Sequence, residues 1–301
     1  MGIGDRIRES STGEKRQKIE FYAEEPKYEL SDIVLPNVVK EQVLDVLEYK
    51  KNSKKVYEDW GLANTHKYSR KIGVNLYGPS GTGKTMVAHA IAKYLGRKIL
   101  VINYADIESK YVGETPKNIK AAFEYARESN CVMFFDEADA ILSRRVTDMQ
   151  RAVDVSVNQT RSVLLMLLND YQDFIIFATN FIENFDPAFM RRIAQHIKFE
   201  LPDELCREQL WRMYIPEKMP NDFEMEKLIV ESEGLSGSDI ANAVLMSAFK
   251  AARNRDEIVL HNYVMTSIMN IKESKAANTK KEVKTTKRIV SEDYVKEQMK
   301  K

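Results

Sequence analysis

The octet "GPSGTGKT", Gly78–Thr85, follows the apolar run "IGVNLY" at 72–77 and opens an amphipathic segment at 84–95. It fits G-x-x-x-x-G-K-[ST] in the setting that gives the pattern meaning, with a strand before it and a helix after. Glycines let a backbone curl until successive N–H groups point into one concavity, which suits a phosphate. A helix starting near Gly83 adds its positive end. Lys84 then reaches the β- and γ-phosphates, and the Thr85 hydroxyl is placed to ligate Mg²⁺. The plainer reading is a tight glycine turn between a strand and a helix; with both flanks correct it carries little weight.

Such a strand needs neighbours, and the chain supplies them. Strand-like runs stand at 98–103 "KILVIN", 131–135 "CVMFF" and 173–179 "DFIIFAT", with a weaker one at 195–201 "QHIKFEL". Helix-like segments lie between them at 84–95, 115–129, 155–169 and 187–192, and another runs from Pro36 to about Gly61. Apolar strands alternating with helices predict an α/β fold, a parallel five-stranded sheet covered by helices on both faces. After "LPD" at 201–203 only helical periods remain, with "GLSGSD" at 234–239 as loop and N-cap, so a small all-helical domain is expected next. The predicted organisation is a flexible polar leader at 1–28, an α/β domain at 29–202, a helical domain at 203–271, and a basic tail with a short helix at 272–301.

Charge and cysteine usage narrow the class. The 46 Lys and Arg residues nearly cancel the 45 Asp and Glu residues, so no global field attracts nucleic acid or an anionic membrane. Cys131 and Cys206 lack CxxC spacing and form neither a disulfide framework nor a zinc site; reduced thiols in the cytoplasm are expected. The longest apolar runs are too short to span a bilayer, and the N-terminus has no signal-peptide core.

Three further motifs bear on chemistry. In "VMFFDEAD", Val132–Asp139, an apolar strand ends in Asp136 and Glu137, at the edge where open α/β sheets bind ligands. Asp136 is suited to a hydrated Mg²⁺ and Glu137 to orienting and polarising an attacking water, although an acidic strand end can also simply cap a helix. "FIIFATN" ends in Thr179 and Asn180; a neutral amide there can hold the water or touch a γ-phosphate, but Asn also commonly ends strands. "FDPAFMRRI" supplies Arg191 and Arg192. A guanidinium arriving at the γ-oxygens is worth about 10³–10⁵ in rate. An adjacent surface pair is the plain alternative, and the sequence shows no direction for either side chain.

In this order, with "GLSGSDI" closing the series, the motifs resemble those of an AAA+ ATPase of the AAA clade over about residues 30–270, and most closely the stand-alone bacterial members. The resemblance implies a P-loop NTPase fold followed by a helical lid. Gly78, Pro79, Ser80, Gly81, Thr82, Gly83, Lys84 and Thr85, with Met86 adjoining, would be the Walker A loop around ATP, and Asp136 with Glu137 Walker B. Thr85 and Asp136 would hold Mg²⁺, and Asn180 would be sensor 1. Arg192, with Arg191, would be the arginine finger acting on ATP in the neighbouring subunit; the pair departs from the commoner spaced arginines, so the choice between them stays open. Asp32, Ile33 and Val34 would line the adenine pocket, closed by Gly237 and Ser238, where Ser238 replaces a common Ala. "SKYVGET", Ser109–Thr115, would be a pore loop in which Tyr111, Val112 and Gly113 grip an extended peptide. The alternative for Tyr111 is a staple packed on the core. "SRRVTDMQR", Ser143–Arg151, reads either as a second pore-facing loop or as a solvated turn.

The function implied is Mg²⁺-dependent ATP hydrolysis by a ring, hexameric in this family, that remodels, unfolds or threads a polypeptide client. An adaptor or peptidase partner fits, and no membrane is expected. The alternative is a nucleic-acid loader or remodeller; against it stand the balanced charge and the lack of a DNA-binding module. A scaffold that holds ATP without turnover sits poorly with Glu137, Asn180 and the arginines.

Overall fold

Side-chain alternation along the strands explains the two-layered core. The computed structural model describes residues 20–66, 72–103, 107, 114–143, 152–180 and 185–279. The chain divides after Leu201 into two units, each described by itself.

In the first unit the elements run α1 (Asn37–Lys54), β1 (Ile72–Tyr77), α2 (Lys84–Tyr94), β2 (Ile99–Asn103), α3 (Glu114–Glu128) and β3 (Val132–Asp136). Then come α4 (Asp139–Leu142), α5 (Ala152–Asp170), β4 (Phe174–Thr179), α6 (Pro187–Met190) and β5 (Gln195–Lys198). The strands form one sheet in the order β2-β3-β4-β1-β5, every pair parallel. This is the α/β fold expected from the sequence.

Val74, Leu76, Val132, Phe134, Ile176 and Ala178 face one apolar cluster, shared with Val43 and Leu47 of α1 and Val87 and Ile91 of α2. Met133, Phe135, Ile175 and Phe177 face the other, shared with Ile119 and Phe123 of α3 and Leu164 and Leu168 of α5. Both faces are buried, which is why the strands read as nearly unbroken apolar runs rather than alternating ones. Phe135 and Phe177 stack across β3 and β4 with centroids 5.3 Å apart. Each such fully buried side chain contributes about 1.5–3 kcal/mol, so the two faces together set the strand order firmly.

Residues 20–28 depart from the unpacked leader expected over 1–28. Glu24 pairs antiparallel with Ile99, each backbone N–H donating to the other carbonyl at 2.9 Å. Ala23 N donates to the Tyr125 hydroxyl at 3.0 Å, and Phe21 and Ala23 pack on the α3 face. The segment covers the outer edge of β2, where unpaired strand groups would otherwise stand open. Residues 1–19 lie outside the described part.

The second unit holds α7 (Glu204–Tyr214), α8 (Met225–Glu231), α9 (Gly237–Asn254) and α10 (His261–Thr279). Trp211, Leu228, Leu235, Ile240, Ala243, Val264 and Ile268 form its buried interior. Asp203 caps α7 through Cys206 N at 2.8 Å, and Trp211 Nε1 donates to Ser232 Oγ at 3.0 Å. The last helix continues to Thr279, past the boundary expected at 271. Residues 273–277 are exposed, so their polar sequence carries no core period although the backbone stays helical. Both cysteines are buried free thiols; burial pushes the Cys131 thiol up, and burial with Asp203 pushes Cys206 up to about 12. Among the described residues no helix is long and apolar enough to cross a membrane.

Candidate functional site

Because β4 lies between β3 and β1, the carboxyl ends of these three strands emerge side by side. Each end carries one of the motifs. The loop after β1 turns at Gly78, whose φ of +140° is open only to glycine, and a Cβ there would lie 2.0 Å from the Phe199 carbonyl oxygen. Gly83, at φ +97°, sits at the N-cap of α2. A Cβ on Gly83 would come 3.8 Å from Ile33 Cγ2, so the Asp32–Val34 segment lies against the phosphate-type loop. Ile33 also packs on the α2 side of the core, while Asp32 Oδ2 accepts from Glu29 N at 2.7 Å and closes its own turn. Within the loop, Thr82 Oγ1 donates to Pro79 O at 2.8 Å.

Lys84, the first residue of α2, is only 8 % exposed. Its Nζ donates to Gly78 O at 2.7 Å, to Pro79 O at 2.8 Å and to Asn180 Oδ1 at 3.1 Å. The lysine thus ties its own loop to the end of β4. Burial lowers its pKa, opposed by the charges of Asp136 and Asp139. Thr85 Oγ1 donates to Asp136 Oδ2 at 3.0 Å, and the other Asp136 oxygen accepts from Glu137 N at 3.0 Å. Glu137, at φ +49°, turns out of the strand with its side chain exposed. Loop, lysine, Thr85, Asp136, Glu137 and Asn180 therefore come together from three separate stretches of sequence.

One member has no role in the sequence reading. Asp139, the last residue of "VMFFDEAD", accepts from Asn180 N through Oδ2 at 3.2 Å. Ala138 N also donates to Ala178 O at 2.9 Å, so the ends of β3 and β4 are stitched together below Asn180. The signal was a third acid, three residues after Asp136, but its partner is 41 residues away in the chain.

The arginines follow α6, which Asp186 caps through Ala188 N at 2.8 Å. Arg192 is held by Asn169 Oδ1 at 2.9 Å and Ala188 O at 2.8 Å, whereas Arg191 is exposed. Among the described residues no hydrogen bond joins either arginine to Lys84, Asp136, Glu137 or Asn180. Gly237 and Ser238 open α9 in the second unit, beneath a reciprocal cap: Ser236 N donates to Asp239 Oδ2 at 2.7 Å and Asp239 N to Ser236 Oγ at 3.3 Å. Tyr111, Val112 and Gly113 lie outside the described residues, as do 144–151 of the second loop segment.

Known proteins share the family of this fold. Residues 74–201 match the family described as "ATPase family associated with various cellular activities (AAA)". The chain is 32% identical over 211 residues to the 26S proteasome subunit RPT4 of Saccharomyces cerevisiae, covering 67% of this chain and 48% of that protein. It is 31% identical over 267 residues to the proteasome-activating nucleotidase of Sulfurisphaera tokodaii, covering 85% of this chain and 66% of that protein. To the proteasome-activating nucleotidase of Methanopyrus kandleri it is 32% identical over 220 residues, covering 69% and 50%. The chain spans about half the length of most of the curated relatives it matches. With the motif series, the parallel sheet and these relatives in agreement, the chain belongs to the AAA clade of AAA+ ATPases.

Proposed function

We propose that this chain hydrolyses ATP at the junction of β1, β3 and β4 and uses the energy to remodel a polypeptide. The observation that carries the reading is the buried Lys84 amine, which spans the Gly78–Pro79 carbonyls and Asn180 while Thr85 and Asp136 stand bonded beside it. A buried ammonium held by its own loop carbonyls is poised to exchange those bonds for β- and γ-phosphate oxygens, which are stronger, charged acceptors. The backbone N–H groups of the loop and the start of α2 supply the remaining donors.

The residues also fit a divalent cation. Thr85 Oγ1 and Asp136 Oδ2 are hard oxygen donors 3.0 Å apart, and a magnesium ion bound this way needs few protein ligands beside phosphate and water. Such an ion would neutralise charge between the β- and γ-phosphates. Glu137, exposed just past the strand, takes the proton of the attacking water, and Asn180, fixed by Asp139, orients that water against the γ-phosphate. Arg191, exposed and without a side-chain hydrogen bond among the described residues, is the arginine free to reach a neighbouring subunit, and Arg192 acts as its tether to α5.

The relatives bear the names of proteasome subunits and proteasome-activating nucleotidases. By that likeness the assembly is a six-membered ring, its client a polypeptide gripped by Tyr111, Val112 and Gly113, and a peptidase its natural partner. A Glu137→Gln variant given ATP tests this. It should bind a tagged, permanently unfolded model polypeptide, and the added change Tyr111→Ala should release it. Binding of single-stranded DNA instead, or equal polypeptide binding with and without Tyr111, would overturn the reading.

A further inference from the structure

Asn75 is the one polar residue inside the apolar run of β1. It is 0 % exposed, and neither its amide nitrogen nor its amide oxygen has a hydrogen-bond partner. Leaving a buried amide unpaired is costly, so a residue of this kind in a central strand calls for a physical reason. Its place in the sheet supplies one. Asn75 is in register with Phe177 of β4 on one side and with His196 of β5 on the other. Strands in a sheet lie about 4.8 Å apart, and residues in register share a face, so amide and imidazole stand side by side.

The imidazole has a task at its other end. His196 Nε2 lies 3.3 Å from the Met190 carbonyl. A carbonyl only accepts, so Nε2 bears the proton and Nδ1 is left as an acceptor. That Nδ1 is buried and has no partner. Asn75, in register with His196, offers an amide donor on the same face, and one enclosed water between the two would complete the bonding of both. Burial lowers the pKa of His196 against the opposing pull of the Met190 and Ile193 backbone, in keeping with a neutral ring.

Met190 is the residue before Arg191 and Arg192, at the end of a helix of only four residues that cannot fix its own direction. The chain just beyond the arginines leans on β1. Ala194 N donates to Gly73 O at 3.0 Å, and a Cβ on Gly73 would come 3.3 Å from Ile193 Cα. One face of β1 therefore presents Gly73 to the backbone beyond the arginines and Asn75 to His196. The same strand then ends in the phosphate-type loop.

We propose that Asn75 and His196 are positioning residues. They hold the Met190 carbonyl, and with it the arginine pair, on the strand that carries the loop. The inference rests on the reading of the arginines as acting on a neighbouring subunit's ATP. It makes the arginine pose of each subunit depend on β1 of that same subunit.

Asn75→Leu and His196→Phe each replace a buried polar group with an apolar one of similar bulk, and thermal unfolding establishes that they fold. Each should lower kcat for ATP hydrolysis by about 10–100-fold while leaving KM within about twofold, because the arginine is displaced and the variant's own loop is intact. Mixing either with Glu137→Gln, which lacks turnover but keeps its arginines, should restore phosphate release above the sum of the two. The Arg191→Ala/Arg192→Ala double variant mixed with Glu137→Gln is the control. Recovery of the control without recovery of the His196 variant overturns the positioning role. Recovery of neither overturns the action in trans, and this inference with it. In the unaltered protein, imidazole ¹⁵N shifts should show a neutral His196 protonated on Nε2; a ring protonated on Nδ1 would refute the arrangement without any variant.

Discussion

Gly78→Ala is the substitution whose cost follows most directly from the geometry. The new methyl carbon would stand 2.0 Å from Phe199 O and 2.9 Å from Phe199 C. An ordinary carbon–oxygen approach is about 3.3 Å or more, so one backbone must move by about 1.3 Å. Both strands are tied down there: Phe199 N donates to Tyr77 O at 2.7 Å and Gly78 N to Thr179 O at 3.2 Å. Breaking these two bonds costs about 1–3 kcal/mol each, and holding alanine in the glycine region of φ adds about 1–3 kcal/mol. A destabilisation of about 4 kcal/mol or more results. For a unit of this size that is a fall in Tm of about 8–16 °C. Gly96→Ala is the matched control, because Gly96 has φ +64° and a Cβ there would meet nothing within 4 Å, leaving only the dihedral cost of about 1–2 kcal/mol. Calorimetry of the two variants, with a fluorescent ATP analogue to follow binding, reads both effects. If Gly78→Ala melts within about 1 kcal/mol of Gly96→Ala and still binds nucleotide, the wedge between loop and Phe199 is wrong.

Other outcomes depend on the same contacts. Lys84→Ala should abolish binding of the analogue while the fold survives, since the lost bonds join only the loop carbonyls and the Asn180 amide at the end of β4; retained affinity in a titration would contradict its role. Tyr111→Ala should keep ATP turnover within about twofold and lose client processing in a degradation or unfolding assay, and equal loss of both would point to a packing role. Acid should weaken the first unit through His89, which accepts from Lys27 N at 3.4 Å and whose pKa burial holds below 6.5 despite Glu24 and Asp136 nearby. The unfolded chain then takes up a proton more readily than the folded one, so stability falls as pH drops through and below 6.5. His89→Leu should flatten that slope in denaturant titrations at pH 5 and 7.5, and an unchanged slope would count against it.

What the sequence revealed and what it hid divide along physical lines. The octet and its flanking strand and helix are local: phosphate chemistry demands those residue types at that spacing, and the backbone must obey. Strand ends at Asp136 and Asn180 were equally legible, because acids and amides interrupt apolar runs there. Edge pairing of Glu24 with Ile99 was invisible, since it joins segments 75 residues apart and only one bridge is formed. Asp139 was hidden for the same reason, its partner being a distant backbone N–H. The arginines were found by motif order alone, and only the contacts of Arg192 with Asn169 and Ala188 separate it from Arg191. Asn75 was in plain view within "IGVNLY", yet its meaning depends on β5 lying next to β1, a pairing across more than a hundred residues.

The central claim is that the Lys84 loop and Glu137 turn over ATP together. Phosphate release with Mg²⁺ and ATP, measured for the unaltered protein and for Glu137→Gln alongside bound nucleotide, addresses it most directly. The account predicts that Glu137→Gln keeps ATP bound while release falls by about 10²-fold or more. Equal release by both proteins, or no nucleotide bound to either, would contradict it.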